Sequence, residues 1–193
     1  MMRPLNLVLF ISGRGSNARN IAHYFNKHEY ISVTGIISSS ENSEIKEFCN
    51  KNKMFYAQNT PWDEQKAIHL LDNQACDLII LAGFLKKISA VLISKYPDRI
   101  LNIHPSLLPK FGGVGMYGRR IHEEVHAKQE SETGITIHLV NERYDEGRIL
   151  EQYRCSINPL ETVEQIEDKI HSLEYQFFPS AIERYCLSLE GRF

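Results

Sequence analysis

Residues 99–113 read RILNIHPSLLPKFGG. The first six have the branched, apolar content of a short buried strand. Side chains alternate along a strand, so Ile100, Asn102 and His104 share one face and Leu101 and Ile103 the other. Asn102 and His104 then stand side by side, their Cα atoms about 6–7 Å apart at strand rise. Pro105 biases His104 towards an extended backbone and withdraws a donor, which ends the strand there. A polar pair on a strand end is either a hydrogen-bonded plug or a working site. As a working site it sets an amide donor beside an imidazole, the parts needed to stabilise a developing oxyanion while handling a proton. Asp145, in YDEG, has the spacing of a turn residue. Only a turn folded towards His104 would let its carboxylate favour the imidazolium.

A second candidate is Gly13-Arg14-Gly15-Ser16-Asn17-Ala18, which satisfies G-x-G-x-x-G/A between a strand and a helix. It reads either as a tight turn capped by Ser16 or Asn17, or as a phosphate held on backbone N–H groups at the helix N-terminus. A dinucleotide fits poorly, because the second strand ends in IISSS and its first acid is Glu41. No Lys-Ser/Thr follows, so this is not a Walker loop. His122 and His126 have i, i+4 spacing but no third ligand, so a solvated helix face is expected and no metal. His138 shares a face with Thr136 and is expected to be exposed or to support the site from behind. Lys86 and Lys87 read most simply as solvated charges.

These residues need elements to place them. Strand-like NLVLFIS (6–12), YISVTGIIS (30–38), KMFYAQ and CDLIILAG (76–83) alternate with helical stretches, including a capped one at 42–52. The repeat of roughly 25–35 residues indicates an open, mostly parallel, Rossmann-like α/β sheet. In such a sheet ligands bind outside the carboxyl ends of the strands. SGRGSN, AGFLKK and NIHPSLLP all fall at such ends and are expected to converge. After residue 104 the pattern changes. FGGVGMYG puts four of the chain's 11 glycines in eight residues, a loop with unusual backbone freedom. GITIHLVN and GRILEQYRCSI read as an antiparallel hairpin added to the parallel core. Val163, Ile166, Ile170, Leu173 and Phe177 step as a long C-terminal amphipathic helix, which Pro179 is expected to kink or interrupt.

Composition bounds the rest. The 193 residues, 42% hydrophobic, suit one domain spanning 1–193 with a substantial core. Twenty-two basic against 24 acidic residues give a net charge of −2, no footprint for nucleic acid or a membrane surface. No apolar run approaches the ~20 residues of a membrane span, and the start reads as a first strand rather than a signal peptide. Four cysteines without a CxxC pair indicate reduced thiols in a cytoplasmic protein.

The blocks ISGRGSN, LAGFLKKIS, LNIHPSLLPKF, GITIHLV and YDEGRILEQ resemble, in order and spacing, the phosphoribosylglycinamide formyltransferases, folate-dependent enzymes of purine synthesis. The resemblance covers nearly the whole chain, and its Asn-x-His-Pro-Ser-Leu-Leu-Pro block is specific to folate-dependent formyltransferases. It implies a single formyltransferase domain, with 10-formyltetrahydrofolate as co-substrate and glycinamide ribonucleotide as acceptor. Asn102, His104 and Asp145 match the catalytic set, with Asp145 raising the His104 pKa. Gly15, Ser16 and Asn17 match the loop holding the ribonucleotide phosphate, and Glu174 an acid at its glycinamide end. Leu85, Lys86, Lys87, Ile88 and Asn102 match the folate pocket. The expected assembly is a monomer or weak homodimer. FGGVGMYGRR and Glu146 depart from the family pattern, at residues 111–120 and at the turn beside Asp145.

Overall fold

The computed structural model describes residues 4–189. One seven-stranded sheet runs in the order β3-β2-β1-β4-β5-β6-β7. Strands β1 (Leu5–Ile11), β2 (Ile31–Ser38), β3 (Phe55–Gln58), β4 (Leu78–Leu81) and β5 (Ile100–His104) are parallel. Strands β6 (Glu132–Leu139) and β7 (Ile149–Ser156) extend the β5 edge as an antiparallel pair. Helices α1 (Ser16–Tyr24), α2 (Ser43–Lys51), α3 (Glu64–Asn73) and α4 (Ala90–Lys95) fill the parallel crossovers. Helix α5 (Arg119–Ala127) lies between β5 and β6, and α6 (Val163–Ser188) follows β7. The sheet is the α/β architecture with appended hairpin that the residue pattern indicates.

Both faces of the sheet are covered, which is why LIIL of β4 is apolar without alternation. Leu7, Leu9, Leu101 and Ile103 pack with Ile21 of α1, Ile45 of α2 and Ile170 and Phe178 of α6. Val8, Phe10, Ile79 and Ile100 pack with Ala67 and Leu71 of α3 and Leu92 of α4. Asn42 caps α2 as its sequence suggests, its side chain accepting the Ile45 amide at 2.9 Å.

Pro179 does not interrupt α6, which runs unbroken for 26 residues. A helical proline leaves the carbonyl four residues earlier without its N–H partner. That carbonyl belongs to Tyr175, and the Asn20 amide of α1 donates to it at 2.9 Å. A neighbouring helix thus replaces the missing donor.

Candidate active site

The loops that follow β1, β4 and β5 meet at the carboxyl edge of the parallel strands. The Ser12 amide donates to the Gly83 carbonyl at 3.0 Å, and the Leu85 amide to the Ser12 hydroxyl at 2.9 Å. Together with α5, α6 and the β6–β7 turn they enclose a cavity of about 530 Å³. Its wall includes Gly13–Asn17, Leu81–Ile88, Asn102–Pro105, Gly113–Gly118, Val140–Asp145 and Glu174. Gly15–Asn17, Leu85–Ile88, Asn102, His104, Asp145 and Glu174 therefore face one space.

At the first loop, Gly15 is the residue before α1 and carries φ 74°, ψ 26°, with no side chain capping the helix. Neither Ser16 nor Asn17 is the N-cap; both lie inside the first turn, whose N–H groups lack a side-chain acceptor. This leaves the helix terminus open to an anion. Glycine is needed at 15 twice over: the left-handed φ disfavours a side chain, and a Cβ would lie 2.6 Å from Ile45 Cδ1. Asn42 secures the loop from α2, donating from Nδ2 to the Gly13 carbonyl at 2.9 Å.

At the end of β5, Asn102 and His104 are joined by two groups from the antiparallel extension. The register pairs Asn102 with His138 and His104 with Thr136. His138 Nδ1 lies 2.9 Å from the Leu139 carbonyl, so that nitrogen bears hydrogen and Nε2 presents a lone pair. Asn102 Nδ2 donates to this lone pair at 3.1 Å, which fixes the amide's orientation. Asp145, φ 57°, folds its turn back over the pair and is only 11% exposed at its side chain. Its Oδ2 accepts the Gly113 amide at 2.9 Å and lies 3.5 Å from His104 Nδ1. Its Oδ1 lies 3.7 Å from His138 Nε2.

His104 Nε2 lies 2.8 Å from the Phe111 carbonyl and donates to it. Nδ1 then faces Asp145 either as a lone pair or as a second N–H. Only the second is attractive, so the carboxylate favours the imidazolium. Burial works the other way and is the larger effect: it pushes His104 below the usual histidine value, while Asp145 and the Phe111 carbonyl pull it up. The expected raising of the His104 pKa by Asp145 is present as a contribution, but desolvation outweighs it. His138 is likewise held low, first by burial.

The far wall is α6. Glu174 is 6% exposed, and its Oε2 accepts Asn17 Nδ2 at 2.9 Å and His171 Nδ1 at 3.0 Å. This ties the α1 terminus to the last helix. Leu85, Lys86 and Lys87 are exposed on the cavity rim and Ile88 is buried. Lys87 Nζ sits 5.8 Å over the Tyr144 ring, so it packs on the β6–β7 turn rather than standing free in solvent. Among the described residues no group of three or more His, Cys, Asp and Glu is arranged to hold a metal ion. All four cysteines are free, and burial pushes the Cys49 thiol up to about 11.

A formyl transferase family model matches residues 5–182. The chain belongs to the formyl transferase family. Among relatives of this formyl transferase, the chloroplastic phosphoribosylglycinamide formyltransferase of Arabidopsis thaliana is 33% identical over 95% of the chain. The chain spans 66% of that relative's length, just under two thirds. The phosphoribosylglycinamide formyltransferase of Bacillus subtilis is 32% identical, with 95% of each chain covered. The crystal structure of phosphoribosylglycinamide formyltransferase from Bacillus halodurans superposes with a TM-score of 0.84 at 26% identity, covering 97% of each chain.

One histidine of this formyl transferase lies where the sequence did not put it, and another takes one of its two expected places. His138, expected to be exposed or to support the site from behind, does the second: it is 2% exposed and bonded to Asn102. His122, expected on a solvated helix face, is 3% exposed and lines the cavity, while His126 is exposed. In both cases the residue pattern identified the face but not what covers it. The cover is supplied by segments distant in sequence: the 140–146 turn over His138 and α6 over His122. His171 drew no notice at all, being one polar residue on an amphipathic helix.

Proposed function

We propose that this chain transfers a formyl group from 10-formyltetrahydrofolate to the primary amine of glycinamide ribonucleotide in purine biosynthesis. The observation that carries the reading is the single cavity joining an open helix terminus to the Asn102–His104–Asp145 set. The names of the Bacillus subtilis and Arabidopsis thaliana relatives support the same acceptor.

In this reading Gly15, Ser16 and Asn17 bind the ribonucleotide phosphate, and Glu174 contacts the same substrate. Leu85–Ile88 and Asn102 receive the folate. The amine attacks the formyl carbon, and the carbonyl oxygen becomes an oxyanion in a tetrahedral intermediate. One Asn102 N–H is held by His138, so the other is free to donate to that oxygen. Protonated His104 supplies the second donor and mediates transfer of the amine proton towards the folate nitrogen. Its Nε2 is engaged by the Phe111 carbonyl, so reaching substrate through that atom requires exchanging this bond. Asp145 offsets part of the cost of charging a buried imidazole.

No helix among the described residues is long and apolar enough to cross a membrane. We place the activity in the cytoplasm, as a monomer or weak homodimer. The decisive experiment follows deformylation of a 10-formyl folate spectroscopically. Deformylation that requires glycinamide ribonucleotide is the expected result. Deformylation without any acceptor would instead indicate a hydrolase, and no reaction with the folate still bound would leave a binding protein.

A further inference from the structure

Where a dinucleotide-binding sheet ends its second strand in an acid, β2 ends in Ser38-Ser39-Ser40, and the proposed reaction gives these serines no part. Ser38 and Ser39 are buried and Ser40 is half-buried. Their contacts run towards Ser12, the residue between β1 and the phosphate loop. The Ser39 hydroxyl pairs with the Ser12 hydroxyl at 2.7 Å, and the Ser40 hydroxyl donates to the Ser12 carbonyl at 3.0 Å. Ser38 in turn holds Ser40, its hydroxyl donating to the Ser40 carbonyl at 2.7 Å. Ser39 is fixed through its backbone. Its amide donates to the Ile11 carbonyl at 2.9 Å, and its carbonyl accepts the Thr60 hydroxyl at 2.8 Å.

Ser12 passes this support to the loop after β4. Its amide donates to the Gly83 carbonyl at 3.0 Å, and its hydroxyl accepts the Leu85 amide at 2.9 Å. Gly83, φ 78°, turns the chain out of β4, and the Phe84 ring packs on Phe10 and Trp62, with centroids 5.2 and 4.7 Å away. Leu85, Lys86 and Lys87 then run exposed along the cavity before Ile88 is buried again. The Leu85 amide is thus a tie at the start of the exposed stretch, and its acceptor belongs to the phosphate-loop side. We infer that Ser12 is a positioning residue: its hydroxyl, oriented by Ser39, sets the 85–88 segment for the folate from the root of the loop that takes the phosphate. The inference rests on the formyl-transfer reading above and adds to it the residue that registers one substrate loop against the other.

The bonds divide by substrate. The phosphate loop keeps supports of its own, Asn42 on the Gly13 carbonyl and Ser40 on the Ser12 carbonyl, and neither uses the Ser12 hydroxyl. Ser12→Ala also leaves the Ser12 amide on Gly83. It removes only the acceptor for Leu85 and the partner of Ser39. A released Leu85 amide turns to water, and the 85–88 segment samples positions from which the folate must recruit it. That ordering cost appears as lost affinity on the folate side alone. Neither Ser12 nor Ser39 lines the cavity, so an effect of either on a ligand passes through the loops they hold.

Equilibrium binding to the full chain tests this, with tetrahydrofolate and ribose 5-phosphate as separate probes. Ser12→Ala is expected to weaken tetrahydrofolate about two- to tenfold, the range one hydrogen bond spans, and to leave ribose 5-phosphate within about twofold. In turnover the loss is expected in the KM for 10-formyltetrahydrofolate rather than in kcat. Ser39→Ala is expected to act in the same direction and more weakly, and to add nothing once Ser12 is alanine. Amide exchange needs no variant: in the wild type the Leu85 amide is expected to be protected although its side chain is exposed. Equal loss of both probes in Ser12→Ala would mean general damage to this edge and overturn the inference, as would a Leu85 amide that exchanges as fast as a free one. Unchanged tetrahydrofolate affinity in a Ser12→Ala protein that still transfers formyl to glycinamide ribonucleotide would overturn the inference alone. A selective folate loss in a protein that transfers no formyl would remove the proposed function and leave the role of Ser12 standing.

Discussion

At the level of single residues the site is a contest between burial and charge. His104 is in a desolvated position that disfavours its proton, and Asp145, 3.5 Å away, favours it. Asp145→Asn keeps shape and removes that opposing charge. The protonated fraction of His104 is expected to fall by about 10- to 1000-fold, the range spanned by loss of a neighbouring opposite charge, and turnover with it. Activity that needs the imidazolium declines as pH rises through the His104 pKa. Lowering that pKa moves the alkaline decline to lower pH. A kcat–pH profile with its alkaline limb unmoved would remove Asp145 from this role. Asn102 and His104 were legible in the sequence because period-two alternation and Pro105 are local signals. His138 was legible only as exposed or supporting, since seven of the eight β6 residues are buried and alternation no longer separates inside from outside.

Elements carry the next layer, through contacts that local patterns only partly record. The strand–Gly–helix unit was legible because glycine spacing encodes a turn, yet the cap assignment failed: Gly15 itself precedes α1, in a left-handed conformation. Gly15→Ala combines a strained φ, costing about 1–2 kcal/mol, with displacement of the Ile45 side chain. At about 2–4 °C per kcal/mol for a chain of this size, the expected loss in Tm is about 2–8 °C, together with weakened binding of inorganic phosphate. Gly13→Ala is the control, because no atom lies within 4 Å of the added Cβ. Equal losses at both positions would show that any substitution in the loop is harmful and that the left-handed turn is not special.

Helix α6 shows the converse, a local signal overridden from outside. Pro179 suggested an interruption, but the Asn20 amide occupies the Tyr175 carbonyl that proline leaves unpaired. Asn20→Ala is expected to cost about 0.5–1.5 kcal/mol in the wild type, the usual worth of one such bond. In a Pro179→Ala background the alanine N–H takes over that carbonyl, and the same change is expected to cost much less. A double-mutant cycle by urea unfolding reads the difference. Additive effects would mean that Asn20 is not what lets the helix continue.

Over the whole molecule, the sheet was legible because each βα unit announces itself locally, and parallel strands in such units bury both faces. What stayed hidden is how the antiparallel extension and α6 close over the carboxyl edge, turning surface-like histidines into buried ones. That closure has a thermodynamic consequence. His104, His122 and His138 are all held below the usual histidine value, burial being the largest cause for each. Between the folded values and the unfolded value near 6.5, the unfolded chain binds more protons, so stability falls as pH drops through that window. His171 has the opposite sign: raised by Glu174, its contribution is present in acid and fades as pH rises through its folded value. The carboxylates of Glu151 and Glu183, lowered first by hydrogen bonds to Arg184 and Tyr24 respectively, lose their contribution only in stronger acid. Acidification from about pH 6.5 to about pH 5 is therefore expected to lower Tm through the histidines before the carboxylates respond. All three of these histidines line the cavity. Amide exchange is expected to quicken first in α5 and in the 105–118 loop. His122→Asn, which removes one titrating group, is expected to flatten part of the Tm–pH slope. A slope unchanged by that substitution, or exchange that quickens first in α3 and α4, would place the acid-sensitive region elsewhere in the fold.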